Sequence, residues 1–139
     1  MEILIDKSES HLEKVLKKIA LYFTGIFFIF AGSRHFMAPE FYMMMMPPYL
    51  PIPQTLIYIS GAFEILGGLG LIVPKTRIFS AWGLMVLLLA VLPANVYMWT
   101  QNIDLHDAYT PSWVLLFRIP FQFLLIAWMY MFAKNPKAY

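Results

Sequence analysis

Four long apolar runs alternate with short polar or proline-rich segments along the chain. The runs are 19–36, 54–73, 78–100 and 112–133. Each approaches or exceeds the roughly 20 apolar residues that carry a helix across a hydrocarbon core of about 30 Å. The pattern predicts an all-α fold, a polytopic membrane four-helix bundle. One domain, 1–139, accounts for the whole chain, and no length remains for a separate soluble domain.

The polar arm before the first run is expected to enter it as helix. Ser10 and Glu13 have the spacing of a capping box, and Leu12, Val15, Leu16 and Ile19 follow at helical intervals. A helix from about Ser10 to Phe36 would reach about 39 Å, so its first turns are expected at a basic membrane interface. The arm carries acids, and no small-residue cleavage site follows the first run, so no cleavable signal peptide is expected.

Basic residues set the expected orientation. Lys7, Lys14, Lys17 and Lys18 precede span one, Lys75 and Arg77 lie between spans two and three, and Lys134 and Lys137 follow span four. The opposite side has Arg34 alone, together with Asp104 and Asp107. Both termini are therefore expected to be cytoplasmic.

This topology brings the polar residues of the spans to one depth. Glu64 falls about 15 Å inside span two and Arg118 about 9 Å inside span four, measured from the same side. Arg118 is the strongest candidate cation for Glu64, because ionisable groups at membrane depth seldom stand alone. Gln122 is four residues beyond Arg118 on the same helix face. Asn95 lies toward the outer end of span three, and His35 closes the outer end of span one. Pro93 and Pro120 interrupt the backbone bonding of spans three and four near these groups. Span two carries Ser60, Gly61, Gly67, Gly68 and Gly70, which allow close helix approach. The cluster fits two readings: a buried ion pair that fixes helix register, or a ligand- or proton-handling site.

Composition agrees with the pattern. Residues are 60% hydrophobic and 13% charged, too little charge to cover a soluble surface of this size. There are no cysteines, which excludes thiol exchange and thiolate metal sites within this chain. A net charge of +2 gives no reason to expect nucleic acid. The segment MAPEFYMMMMPPYLPIP holds five methionines near His35, but four consecutive methionines cannot converge on one copper ion. It is expected instead to fold over the bundle mouth as a lid, and no metal site is expected. His11 is isolated, and His106 between two aspartates fits a solvated loop. The four tryptophans fall mostly toward span ends, as in interfacial belts.

Several segments resemble the DoxX-like family of bacterial integral membrane proteins. They are AGSRHFMAPEFYMMMMPPYLP, ISGAFEILGGLGLIVPKTR, AWGLMVLLLAVLPANVYM and FRIPFQFLLIAWMY, in that order and spanning about 20–130. Glu64, Asn95, Arg118 and Gln122 lie at matching motif positions; Ser33-Arg34 departs from the family pattern by its charge. The resemblance implies a four-helix bundle in a bacterial cytoplasmic membrane. It implies no single activity, although relatives include a subunit associated with thiosulfate:quinone oxidoreduction. The leading expectation is a redox-associated protein that binds a quinone or another small lipophilic ligand through Glu64, Arg118, Gln122, Asn95 and His35. No electron-carrying cofactor is encoded, so redox chemistry would need a partner. The alternative is a non-catalytic accessory subunit or assembly factor, embedded in the bilayer within a larger membrane complex or a homo-oligomer. Solute transport is the weakest expectation, since four helices are few and no inverted repeat is visible.

Overall fold

The structure is a computed structural model that describes residues 2–101, 112–135, 137 and 139, with the backbone alone at 2–10, 112, 114 and 115. The fold is all-α: the described residues form five helices and no strand. In order these are α1 (Glu2–Met37), α2 (Pro39–Met43), α3 (Pro53–Ile72), α4 (Arg77–Thr100) and α5 (Ser112–Lys134). All but the short α2 contain a stretch long and apolar enough to cross a membrane. This is a multi-pass membrane protein. Its outward faces carry large apolar side chains, such as Phe23 at 72% and Phe79 at 84% exposure, a surface suited to lipid rather than water.

The expected spans agree with α1, α3, α4 and α5 to within a residue or two at their bounded ends. The start of α1 differs. Its backbone is helical from Glu2, so Ser10 lies inside the helix and is not an N-cap. No glycine or proline interrupts the chain before Gly25, and Glu13 pairs with Lys17 one turn along instead of turning back to a cap.

The four long helices form a closed ring. α1 packs on α3, α3 on α4 and α4 on α5. The Trp128 indole N–H donates to Thr24 Oγ1 at 3.1 Å and ties α5 back to α1. Thr24 in turn donates to the Ala20 carbonyl at 2.7 Å, so both groups are satisfied in apolar surroundings. Trp128 thus has a bonding role that interfacial placement alone does not supply.

Packing and polarity divide between the two ends. At the end where Val73–Thr76 turns α3 into α4, Leu21, Phe28, Leu71, Leu84, Met129 and Phe132 form the main core. The other end carries α2 and the chain up to Pro53, which together form a lid. There Met45 and Met98 are buried against Phe41, while Met43 and Met44 remain exposed. The methionines diverge, as four consecutive residues must. Ile52, with φ 45°, takes the left-handed turn that leads the lid into Pro53 at the start of α3.

Candidate functional site at the lid end

A glycine seam places the site. Gly25 and Gly32 on α1 are seven residues apart, about two turns, and so share a face. Gly61 and Gly68 repeat that spacing on α3. The helices run antiparallel with Gly25 against Gly68 and Gly32 against Gly61. The contact is close enough that a Cβ on Gly61 would lie 2.6 Å from the His35 Cβ and 2.8 Å from the Gly32 carbonyl oxygen. Without side chains at the seam, the two backbones meet and their flanking residues are forced together.

His35 and Glu64 are those flanking residues. Their side chains are only 10% and 15% exposed, and His35 Nε2 lies 3.7 Å from Glu64 Oε1. His35 Nδ1 is 3.0 Å from the Ile57 carbonyl oxygen. A carbonyl can only accept, so Nδ1 carries the hydrogen. One further proton between Nε2 and the carboxylate then makes either an imidazolium–carboxylate pair or two neutral groups. Both states hold the same single proton, which belongs to the pair rather than to either residue. Glu64 Oε2 and Ser60 Oγ, one turn apart on α3, are buried with no hydrogen-bond partner among the described residues.

The lid covers this pair. The Tyr42 ring of α2 stacks on the His35 imidazole with centroids 3.9 Å apart and planes 28° from parallel. Burial, reinforced by the Glu64 charge, pushes the Tyr42 phenol above its ordinary range, while Arg34 and Arg118 oppose that shift. Tyr42 therefore keeps its hydrogen at neutral pH and remains a donor.

The expected Glu64–Arg118 ion pair does not form. Among the described residues no carboxylate lies within 4.0 Å of Arg118, and the ion-pair neighbour of Glu64 is His35. The seam draws α1, not α5, against the acidic face of α3. Asn95 and Gln122 also meet across α4 and α5, with Asn95 Nδ2 donating to Gln122 Oε1 at 2.8 Å. Gln122 is buried, and its own amide donates to the Leu88 carbonyl. That bond lies beside Pro93, whose missing N–H leaves the Leu89 carbonyl without its helical donor. The two amides hold α5 to the interrupted stretch of α4. All five expected site residues thus lie in the lid half, but not as one cluster: His35 meets Glu64, Asn95 meets Gln122, and Arg118 joins neither pair.

Tyr42 is the functional candidate that sequence reasoning missed. Its signal was its place seven residues after His35 in an aromatic segment expected to act as a lid. A separate apolar groove of about 520 Å³ opens at the same end, between Tyr49 of the lid and Leu89, Pro93, Val96 and Tyr97 of α4. None of the five expected residues lines it. No group of three or more His, Cys, Asp or Glu suited to a metal ion occurs among the described residues. Asp104, His106 and Asp107 lie outside the described residues.

Residues 24–133 match the family model described as a domain of unknown function, DUF8561. No curated protein and no solved structure matches the chain.

Proposed function

The chain belongs to the DUF8561 family, and we propose that it is a membrane protein whose lid end binds a small lipophilic molecule with a hydrogen-bonding head. A quinone is the ligand class we name first. The observation that carries this reading is Glu64 Oε2, buried without a hydrogen-bond partner among the described residues, beside a His35 ring on which Tyr42 stacks. A buried polar oxygen with no internal partner favours a ligand that supplies one. A quinone carbonyl accepts from the Tyr42 hydroxyl, and the hydroxyl of the reduced quinol can donate to an ionised Glu64 Oε2. The groove under Tyr49 is apolar and of a size to receive a tail. The DoxX-like motifs support a redox-associated setting in a bacterial cytoplasmic membrane, and the basic flanks support cytoplasmic termini.

Binding of a short-tailed benzoquinone to the purified full chain tests the proposal. Wild type is expected to bind, with affinity falling roughly tenfold or more, about 1.4 kcal/mol, in both Glu64→Gln and His35→Leu. No binding in wild type, or unchanged binding in both variants, overturns it.

One observation favours an accessory role as a second reading. Gly83 is exposed on α4 with nothing within 4 Å of a Cβ placed there, so another helix can approach that face closely. Purification from native membranes discriminates: a stoichiometric partner supports this reading, and a lone chain removes it.

A further inference from the structure

α1 is longer than the bundle it belongs to. Its 36 residues reach about 54 Å, against about 30 Å for the 20 residues of α3. Antiparallel packing fixes where the excess lies. Gly25 lies against Gly68 and against Ile72, the last residue of α3. Thr24 meets Trp128, and α5 ends at Lys134, less than two turns further on. Both neighbours therefore stop level with Lys18 to Leu21, and the earlier turns of α1 run on past them. From His11 to Lys18 every residue is exposed except Lys17, which is partly covered and pairs with Glu13 of its own helix.

This overhang is amphipathic. Leu12, Val15 and Leu16 lie on one side, while Glu13, Lys14, Lys17 and Lys18 fill the rest of the circumference. The apolar side continues into the membrane as a stripe. Leu12, Leu16, Ile19, Phe23, Ile26 and Phe30 recur at alternating intervals of four and three, and each is more than half exposed. That is the a/d seam of a coiled coil, sustained over three heptads. At 100° per residue the seam lies opposite Gly25 and Gly32, so it faces directly away from α3.

Lipid covers Phe23, Ile26 and Phe30, but not Leu12 and Leu16. A helix that continues straight out of the bilayer cannot lay those side chains back upon it. What covers them has to leave the membrane beside α1 with a similar overhang. A second copy of the chain does so by construction, because every copy crosses in the same orientation. Two parallel α1 helices in register bring each seam residue against its own counterpart, an isologous contact. Lys14, Lys17 and Lys18 fall at positions f, b and c, outside the seam, so pairing sets no like charges against each other. The six side chains expose on the order of several hundred Å², the scale of the roughly 800 Å² that each partner gives to a standard interface.

We propose that the protein forms a parallel homodimer through the outward stripe of α1, from the overhang into the membrane. The contact rests on α1 alone. It depends neither on the ligand reading nor on the open face at Gly83.

The chain has no cysteine, so single cysteines placed in the full chain report the contact by oxidative crosslinking in native membranes. Leu12→Cys, Leu16→Cys and Ile19→Cys are expected to form disulfide-linked dimers roughly tenfold more than Lys14→Cys and Lys18→Cys, which lie off the seam. Adding Leu12→Lys and Leu16→Lys to the Ile19→Cys chain should lower its crosslinking roughly tenfold. Both added lysines lie outside the bundle, so the unfolding temperature of the chain should not change. Equal crosslinking at all five positions, or none at the three seam positions, overturns the dimer. A crosslinked product whose mass is not twice that of the chain overturns it in favour of a foreign helix. Ile19→Cys crosslinking that survives the two lysines overturns the overhang as part of the contact.

Discussion

Gly61→Leu is expected to push α1 away from α3 and to break the contact between His35 and Glu64. Even a single added carbon at Gly61 meets the His35 Cβ, the Gly32 carbonyl and the Phe36 ring at 3.0 Å or less. Two of those neighbours are backbone or Cβ atoms, which cannot swing aside as the end of a flexible side chain can. Gly61→Ala should therefore destabilise the bundle by about 1–3 kcal/mol, and the leucine variant by more. Reversible unfolding in mixed micelles measures this. Gly83→Ala serves as the comparison, because nothing lies within 4 Å of its added carbon. It should be neutral or slightly stabilising, since alanine loses less backbone freedom in a helix. Equal effects at the two glycines would show that the seam does not set the spacing of α1 and α3. Quinone binding in the Gly61 variants should fall with stability, because the seam and the proton-holding pair are adjacent.

Arg77→Leu is expected to cost about 2–4 kcal/mol through the loss of at least two charge-assisted hydrogen bonds. Arg77 is only 5% exposed. Its Nε donates to the Leu71 carbonyl at 2.9 Å, and its Nη1 donates to the Tyr139 carbonyl oxygen at 3.0 Å. Thr76 Oγ1 donates to the Gly70 carbonyl at 2.9 Å. Together Thr76 and Arg77 satisfy carbonyls in the last turn of α3 that the helix itself leaves without donors. The Tyr139 ring packs edge-on to Phe132, with centroids 4.6 Å apart, so the same arginine also holds aromatic contact beneath the core. Lys75→Ala, exposed two residues earlier, should change stability by less than about 0.5 kcal/mol. The same unfolding measurement separates them, and a similar small effect at Arg77 would remove its role as a cap.

These two sites show where sequence reasoning stopped. Gly61 and Gly68 were legible as small residues suited to helix packing, but their partner helix was not. Arg77 was legible as a basic residue beside a span, where topology arguments count it as interfacial charge. Its burial depends on the turn from α3 to α4 folding it under the core. Glu64 and Arg118 were legible as two opposite charges at similar depth. Depth follows from residue number and helix rise, so it needs no structure. Rotation about each helix axis does not follow, and it decides which side chains meet.

The sequence by itself determined the four membrane-length helices, their limits to within a residue or two, the lid, and the gathering of His35, Glu64, Asn95, Arg118 and Gln122 in one half. Hydrophobic length, proline placement and the reversal of direction at each connection are sufficient for that. Only the tertiary structure decided that Glu64 faces His35, that Tyr42 covers them, that Asn95 and Gln122 bond one another, and that Arg118 stands apart. The reason is the glycine seam. It removes the side-chain layer between α1 and α3, and the resulting approach of two backbones selects the neighbour of Glu64 from among groups that share its depth.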